Sequence, residues 1–155
     1  MDPLTLKLIH ILSAILLFGT GLGTAFHGMA SNLSKDVRAI AVANRNVVIA
    51  DWIFTTPTVV IQPITGLWLA VQQGWSLTSG WIAWSLALYA LAGACWLPVV
   101  WLQMRMRRMA EAAVAAGTDL PPLYHRYFRI WFALGWPAFA AMVTIVGLMV
   151  FKPDL

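Results

Sequence analysis

Four stretches of the chain, residues 4–26, 52–71, 81–103 and 127–151, are apolar and carry at most one formal charge each. A helix needs roughly 20 such residues to cross the hydrocarbon core of a bilayer. None of the four alternates apolar and polar residues between turns, as the strands of a membrane barrel do. Only 10% of the 155 residues are charged, against about 25% in a soluble domain. The expected fold is therefore all-α: an integral membrane four-helix bundle. It forms a single transmembrane domain over residues 1–155, with the lipid bilayer as its first partner. The first stretch is read as a span, not a cleaved leader, because Leu8–Phe26 is longer than the apolar core of a usual leader.

The connections set the orientation. The first, His27 to Asp51, carries Lys35, Arg38 and Arg45. The third, Met104 to Arg126, carries Arg105, Arg107, Arg108 and Arg126, with Arg129 just beyond. The second, "QQGWSLTSG", carries no charge. Lys and Arg concentrate in cytoplasmic connections. The first and third are thus expected inside, with both termini and the short connection outside. The net charge of +4 then reflects topology and is no signature of nucleic acid. Trp75, Trp81 and Trp84 fall at the expected outer interface, and Trp52, Trp101 and Trp131 at the inner one, as an aromatic belt would. Helices 2 and 3 are expected to extend into the cytoplasm. Ser34 is a candidate N-cap for the first extension, and Gly117 a stop for the second.

Three histidines are candidates for chemistry. His10 sits inside the first span, where an ionisable group is a functional hypothesis by default. At about 100° per residue it shares a stripe with Ala14, Leu17, Gly21, Thr24 and Gly28. That stripe is small apart from Leu17, so His10 is expected to face the bundle. Imidazole is the commonest metal ligand. The alternative is a buried histidine bonded to a neighbour such as Tyr89 or Ser85. No second histidine lies at its depth. Met149 does, and methionine can be an axial haem ligand. His27 lies roughly 25 Å farther along the same helix. With His125 it forms an alternative metal site on the cytoplasmic side. Asp51, at the inner end of the second span, is expected to pair with Arg45 or Arg129. The single cysteine, Cys95, forms no intrachain disulfide.

The stretch "LKLIHILSAILLFGTGLG" resembles the first helix of the bacterial HemJ-type membrane protoporphyrinogen IX oxidases and of the wider superfamily that includes the CopD copper-resistance proteins. In that type a lysine precedes the histidine by three, as Lys7 precedes His10. "TTPTVVIQPITGLWL" is similar to the family's Thr-Pro followed by Gly-Leu-Trp-Leu, carried by Thr56, Pro57, Gly66, Leu67, Trp68 and Leu69. "SGW" at Ser79–Trp81 and the closing Pro137, Lys152 and Pro153 continue the likeness, which covers nearly the whole chain. It looks most like a branch of predicted integral membrane proteins without an assigned function. Two positions depart from the oxidase type. Ser85 stands where it has a lysine, and Gly135 and Trp136 where it has Asn-Glu. The resemblance thus implies the scaffold and a haem b bound through His10, without the polar partners of porphyrinogen oxidation.

On that footing Lys7 would neutralise a propionate. Ala14, Gly21 and Thr24 would admit the porphyrin face, and Trp84 and Tyr89 would wall the pocket. The expected role is electron transfer or oxidoreduction in the bacterial inner (cytoplasmic) membrane, with a redox partner the sequence does not name. Two alternatives stand beside it. One is a copper-handling protein using Met104, Met106 and Met109 with His27 and His125, since thioethers suit Cu(I). The other is a non-catalytic subunit, or a homo-oligomer, packing through the GxxxG face of Gly19 and Gly23.

Overall fold

The computed structural model describes residues 1–154. It contains four long helices and, among the described residues, no strand. They are α1 (Pro3–Leu33), α2 (Val37–Gln72), α3 (Gly80–Ala116) and α4 (Pro122–Phe151). All four are long and apolar enough to cross a membrane. The chain folds as an all-α four-helix membrane bundle.

Local chemistry places the helix ends. Pro3 occupies the first turn of α1, where its missing N–H costs nothing. The Asp2 carboxylate accepts from the Thr5 backbone N–H at 2.9 Å and from its hydroxyl at 3.1 Å. Those bonds, the backbone one foremost, hold the Asp2 carboxyl below its ordinary range. The cap of α2 is Asp36, which accepts from the Arg38 N–H at 2.9 Å, and not Ser34 as expected. Lys35 adopts a left-handed φ of 58°. That turn leaves Ser34 behind as the closing residue of α1. Gly117, with φ 63°, ends α3 as expected, because glycine enters that region without a Cβ clash.

One turn of α2, Asp51–Thr55, is a π-helix. Pro57 follows two residues downstream of it. Pro57 has no N–H for the carbonyl of Ile53 and its ring crowds that carbonyl, so the helix widens. Pro63 repeats the problem one and a half turns later. The carbonyl it frees belongs to Val59, and the Tyr89 hydroxyl of α3 donates to it at 2.8 Å.

The helices pack as two pairs, α1 on α2 and α3 on α4. The pairs join at the end rich in arginine, where Val37–Ala50 of α2 lies against α3. There Ile40, Ala41, Leu102, Met106, Ala110, Tyr124 and Trp131 form a closed core. Tyr124 is fully buried and accepts a hydrogen bond from the Asn44 amide at 2.9 Å. Gly28 admits the Trp131 ring: a Cβ there would lie 3.2 Å from it. At the opposite end the outer half of α2 packs chiefly on α1, and the two pairs splay. Both termini lie at that end, where the Gln72 amide donates to the Met1 carbonyl. The helical extensions at the arginine end were expected of helices 2 and 3 alone. α1 and α4 share in them, running to Leu33 and starting at Pro122.

Candidate functional site

The splay opens a cavity of about 850 Å³ between the helix pairs, reaching His10, Tyr89, Met149 and two lysines. That is within the roughly 300–1,000 Å³ typical of small-molecule sites.

His10 is fixed from α2. Its Nδ1 lies 2.8 Å from the Thr65 hydroxyl. The Thr65 hydroxyl also reaches the Ile61 carbonyl at 2.8 Å. With that bond made, the network is satisfied by the tautomer that carries its proton on Nδ1 and a lone pair on Nε2. The Gln62 amide donates to that lone pair at 3.2 Å. Gln62 is itself held by Ser13 of α1, whose hydroxyl donates to the Gln62 side-chain oxygen. Gly66 completes the seat. A Cβ there would stand 3.0 Å from the imidazole Cε1, so this turn of α2 must lack a side chain.

The mouth is cationic and aromatic. Lys7 and Lys152 border it. The Lys152 ammonium lies 5.1 Å from the Trp75 ring and 5.8 Å from the Trp81 ring, within cation–π reach. Trp81 lines the cavity, and its indole N–H is buried without an acceptor.

The expected site residues divide. His10, Lys7, Ala14, Tyr89 and Met149 all border the cavity. Gly21, Thr24 and Trp84 do not, and this corrects the expected pocket. The buried residues of α1 are Leu6, Ser13, Leu17 and Gly28: Leu17 and Gly28 belong to the expected stripe, and Gly21 and Thr24 are not among them. Gly21 is exposed, with nothing within 4 Å of its Cβ position. Thr24 spends its hydroxyl on the Thr20 carbonyl of its own helix. Trp84 is 59% exposed, on the outer face of α3. The alternative partners named for His10 are engaged elsewhere: Tyr89 with Val59, and Ser85 with the Trp81 carbonyl at 2.7 Å.

His27 and His125 are both exposed. Met106 is buried in the closed core, with Met109 packed against it. Among the described residues no three His, Cys, Asp or Glu side chains gather to hold a metal. Asp51 pairs with neither Arg45 nor Arg129. It is buried and accepts the Thr55 hydroxyl at 2.8 Å, and the one ion pair among the described residues is Arg107–Glu111.

Sequence reasoning missed Ser13, Gln62, Thr65 and Lys152. A signal for two of them was present. Thr55, Thr58, Gln62 and Thr65 recur every three or four residues in an otherwise apolar span, which marks a face turned inward.

The model of a family described as "Predicted integral membrane protein (DUF2269)" matches residues 4–153. The chain belongs to that family. No curated protein and no solved structure matches it. The family match spans all four helices, so the cavity and its imidazole lie wholly within the family's fold.

Proposed function

We propose that this member of the family is a haem b-binding protein of the bacterial inner membrane, with its termini outward, serving electron transfer or the oxidation of a small hydrophobic substrate. One observation carries the reading. A largely apolar cavity is lined by a single imidazole and bordered by two lysines. A flat, apolar ligand with a metal centre and anionic edges matches that distribution better than a bare cation does.

The donor set fits such a group. The Nδ1–H of His10 is committed to Thr65, the outer-shell arrangement that orients a ligating imidazole. The Nε2 lone pair remains for iron, once the Gln62 amide gives way. Met149 is the available second ligand. Lys7 and Lys152 would meet propionates, and the unanswered Trp81 N–H offers a further donor. Bound there, haem b would supply one-electron chemistry, tuned by axial ligand and burial. The cavity walls are mostly apolar, and the Tyr89 hydroxyl ties α3 to α2 through the Val59 carbonyl. The resemblance to HemJ-type proteins supports the haem. It does not extend to porphyrinogen oxidation: Ser85 turns its hydroxyl to its own helix, and Gly135 offers no side chain.

The test is the visible spectrum of protein purified after haem supplementation. A Soret band that shifts on reduction is expected. It should vanish in His10→Ala, persist in His125→Ala, and change its reduced form in Met149→Leu. Colourless protein overturns the reading. Copper bound instead, and lost in His125→Ala, would favour the copper-handling alternative.

A further inference from the structure

A second buried polar centre lies apart from the cavity. Asp51 opens the π turn of α2 and is 5% exposed. Its Oδ1 accepts the Thr55 hydroxyl, but its Oδ2 is buried and has no donor. The Gln103 side chain of α3, also 5% exposed, lies against the carboxyl. The Gln103 Oε1 is a second buried acceptor without a donor. The Asp51 Oδ2 and the Gln103 Oε1 are thus two buried acceptors with no donor on either.

No cation answers them. Arg45 of α2, His27 of α1, Arg105 and Arg108 of α3, and Arg126 and Arg129 of α4 are exposed. Arg107 is held by Glu111 at 2.8 Å. Tyr124, the buried titratable group of the neighbouring core, is bonded to Asn44. An ionised carboxylate in a membrane-spanning helix without a partner is costly. One proton removes the charge and supplies the missing donor together.

We propose that Asp51 is a proton-binding site. Its carboxyl is neutral in the folded protein and donates from Oδ2 to Gln103, which turns its amide oxygen to accept. Asp51 continues the buried face of Asn44, Val47 and Val48 at helical spacing and stands at the foot of the polar face formed by Thr55, Thr58, Gln62 and Thr65. That face ends on His10, and Gln62 stands about 17 Å along the axis from Asp51. The proton site stands whether or not the cavity takes haem.

The test is infrared spectroscopy of the full chain in lipid nanodiscs at neutral pH. The other acidic side chains, Asp2, Asp36, Glu111, Asp119 and Asp154, are exposed to water. The carbonyl stretch of a neutral carboxylic acid, moving down in heavy water, is therefore expected from Asp51 alone. It should disappear in Asp51→Asn, which keeps the shape of the neutral form. It should rise in frequency in Gln103→Leu, where the acceptor is lost. Absence of the band from the wild-type protein overturns the proposal without any variant. A band untouched by Asp51→Asn does so too. Should Asp51→Asn not fold, a band unmoved by Gln103→Leu decides against it.

Discussion

The two ends of this bundle are held together by different physics. At the arginine end, Ile40, Met106, Ala110 and Tyr124 lie beyond the apolar spans and are fully or almost fully buried. They are surrounded by water when the chain is unfolded, so burying them is driven by the hydrophobic effect. At the other end the helices lie in lipid, whose tails are as apolar as leucine, and no such drive closes them. There the two pairs part around a cavity. Specific bonds set the register there: Ser13 to Gln62 and Gln62 and Thr65 to His10 within the α1–α2 pair, and Tyr89 to Val59 between the pairs. A water-driven core clamps one end, and that clamp lets the membrane end stay open to a ligand.

The largest effect should come from attacking the clamp. Tyr124→Ala empties a fully buried site and leaves the Asn44 amide without its acceptor. A loss of about 3–5 kcal/mol is expected, as for other large aromatic deletions, read as a fall in the thermal unfolding midpoint in detergent. If the midpoint holds, the arginine end is not the clamp and the contrast fails. Gly28→Val tests the same end by overfilling. The new Cβ would begin 3.2 Å from Trp131, a ring that is itself buried, so about 1–3 kcal/mol should be lost. The haem binding proposed above should persist in the protein that remains folded.

The open end should answer more gently. Tyr89→Phe removes one hydroxyl and leaves the Val59 carbonyl, already abandoned by Pro63, with no donor. About 1–3 kcal/mol is the cost of such an orphan when it is fully buried. The lower part of that range is expected here because Tyr89 is only partly buried. The sharper sign is local: hydrogen exchange should quicken in Thr56–Gln72 and not in Val37–Ala50. Uniform acceleration along α2 would mean that the ends are not independent.

The contrast also explains what could be read without coordinates. Four spans, their order and their helical extensions follow from hydrophobic content and arginine placement, which are properties of segments. His10 stood out because a lone imidazole in an apolar run is conspicuous. Its partners did not, because Gln62 and Thr65 come from another helix, and which turn of α2 faces which turn of α1 is settled by packing. The stripe through His10 held only in part: its Leu17 and Gly28 are buried, whereas Gly21 lies open and Thr24 turns its hydroxyl to its own helix. Asp51 was assigned an arginine partner because charges near membrane interfaces usually pair. Asp51 instead continues the buried face of Asn44, Val47 and Val48, while Arg45 and Arg129 are exposed.

The smallest effect is expected at Gly23, and it separates fold from assembly. Gly19 and Gly23 share the GxxxG spacing, but Gly19 borders the cavity, so a side chain there would confound two roles. Gly23 is exposed with nothing within 4 Å of its Cβ position. Gly23→Ala removes backbone freedom in mid-helix and touches nothing, so the fold should gain up to about 1 kcal/mol. Gly23→Leu should be as harmless to a monomer. If a second copy packs on this face, its helix approaches closely only because the glycine is small. Leucine would then lower the mass measured by light scattering in detergent while the unfolding midpoint of the monomer stays in place. An unchanged mass for a protein that is oligomeric would put the interface on another face of the bundle. α1 would then need its small residues only where Gly28 meets Trp131.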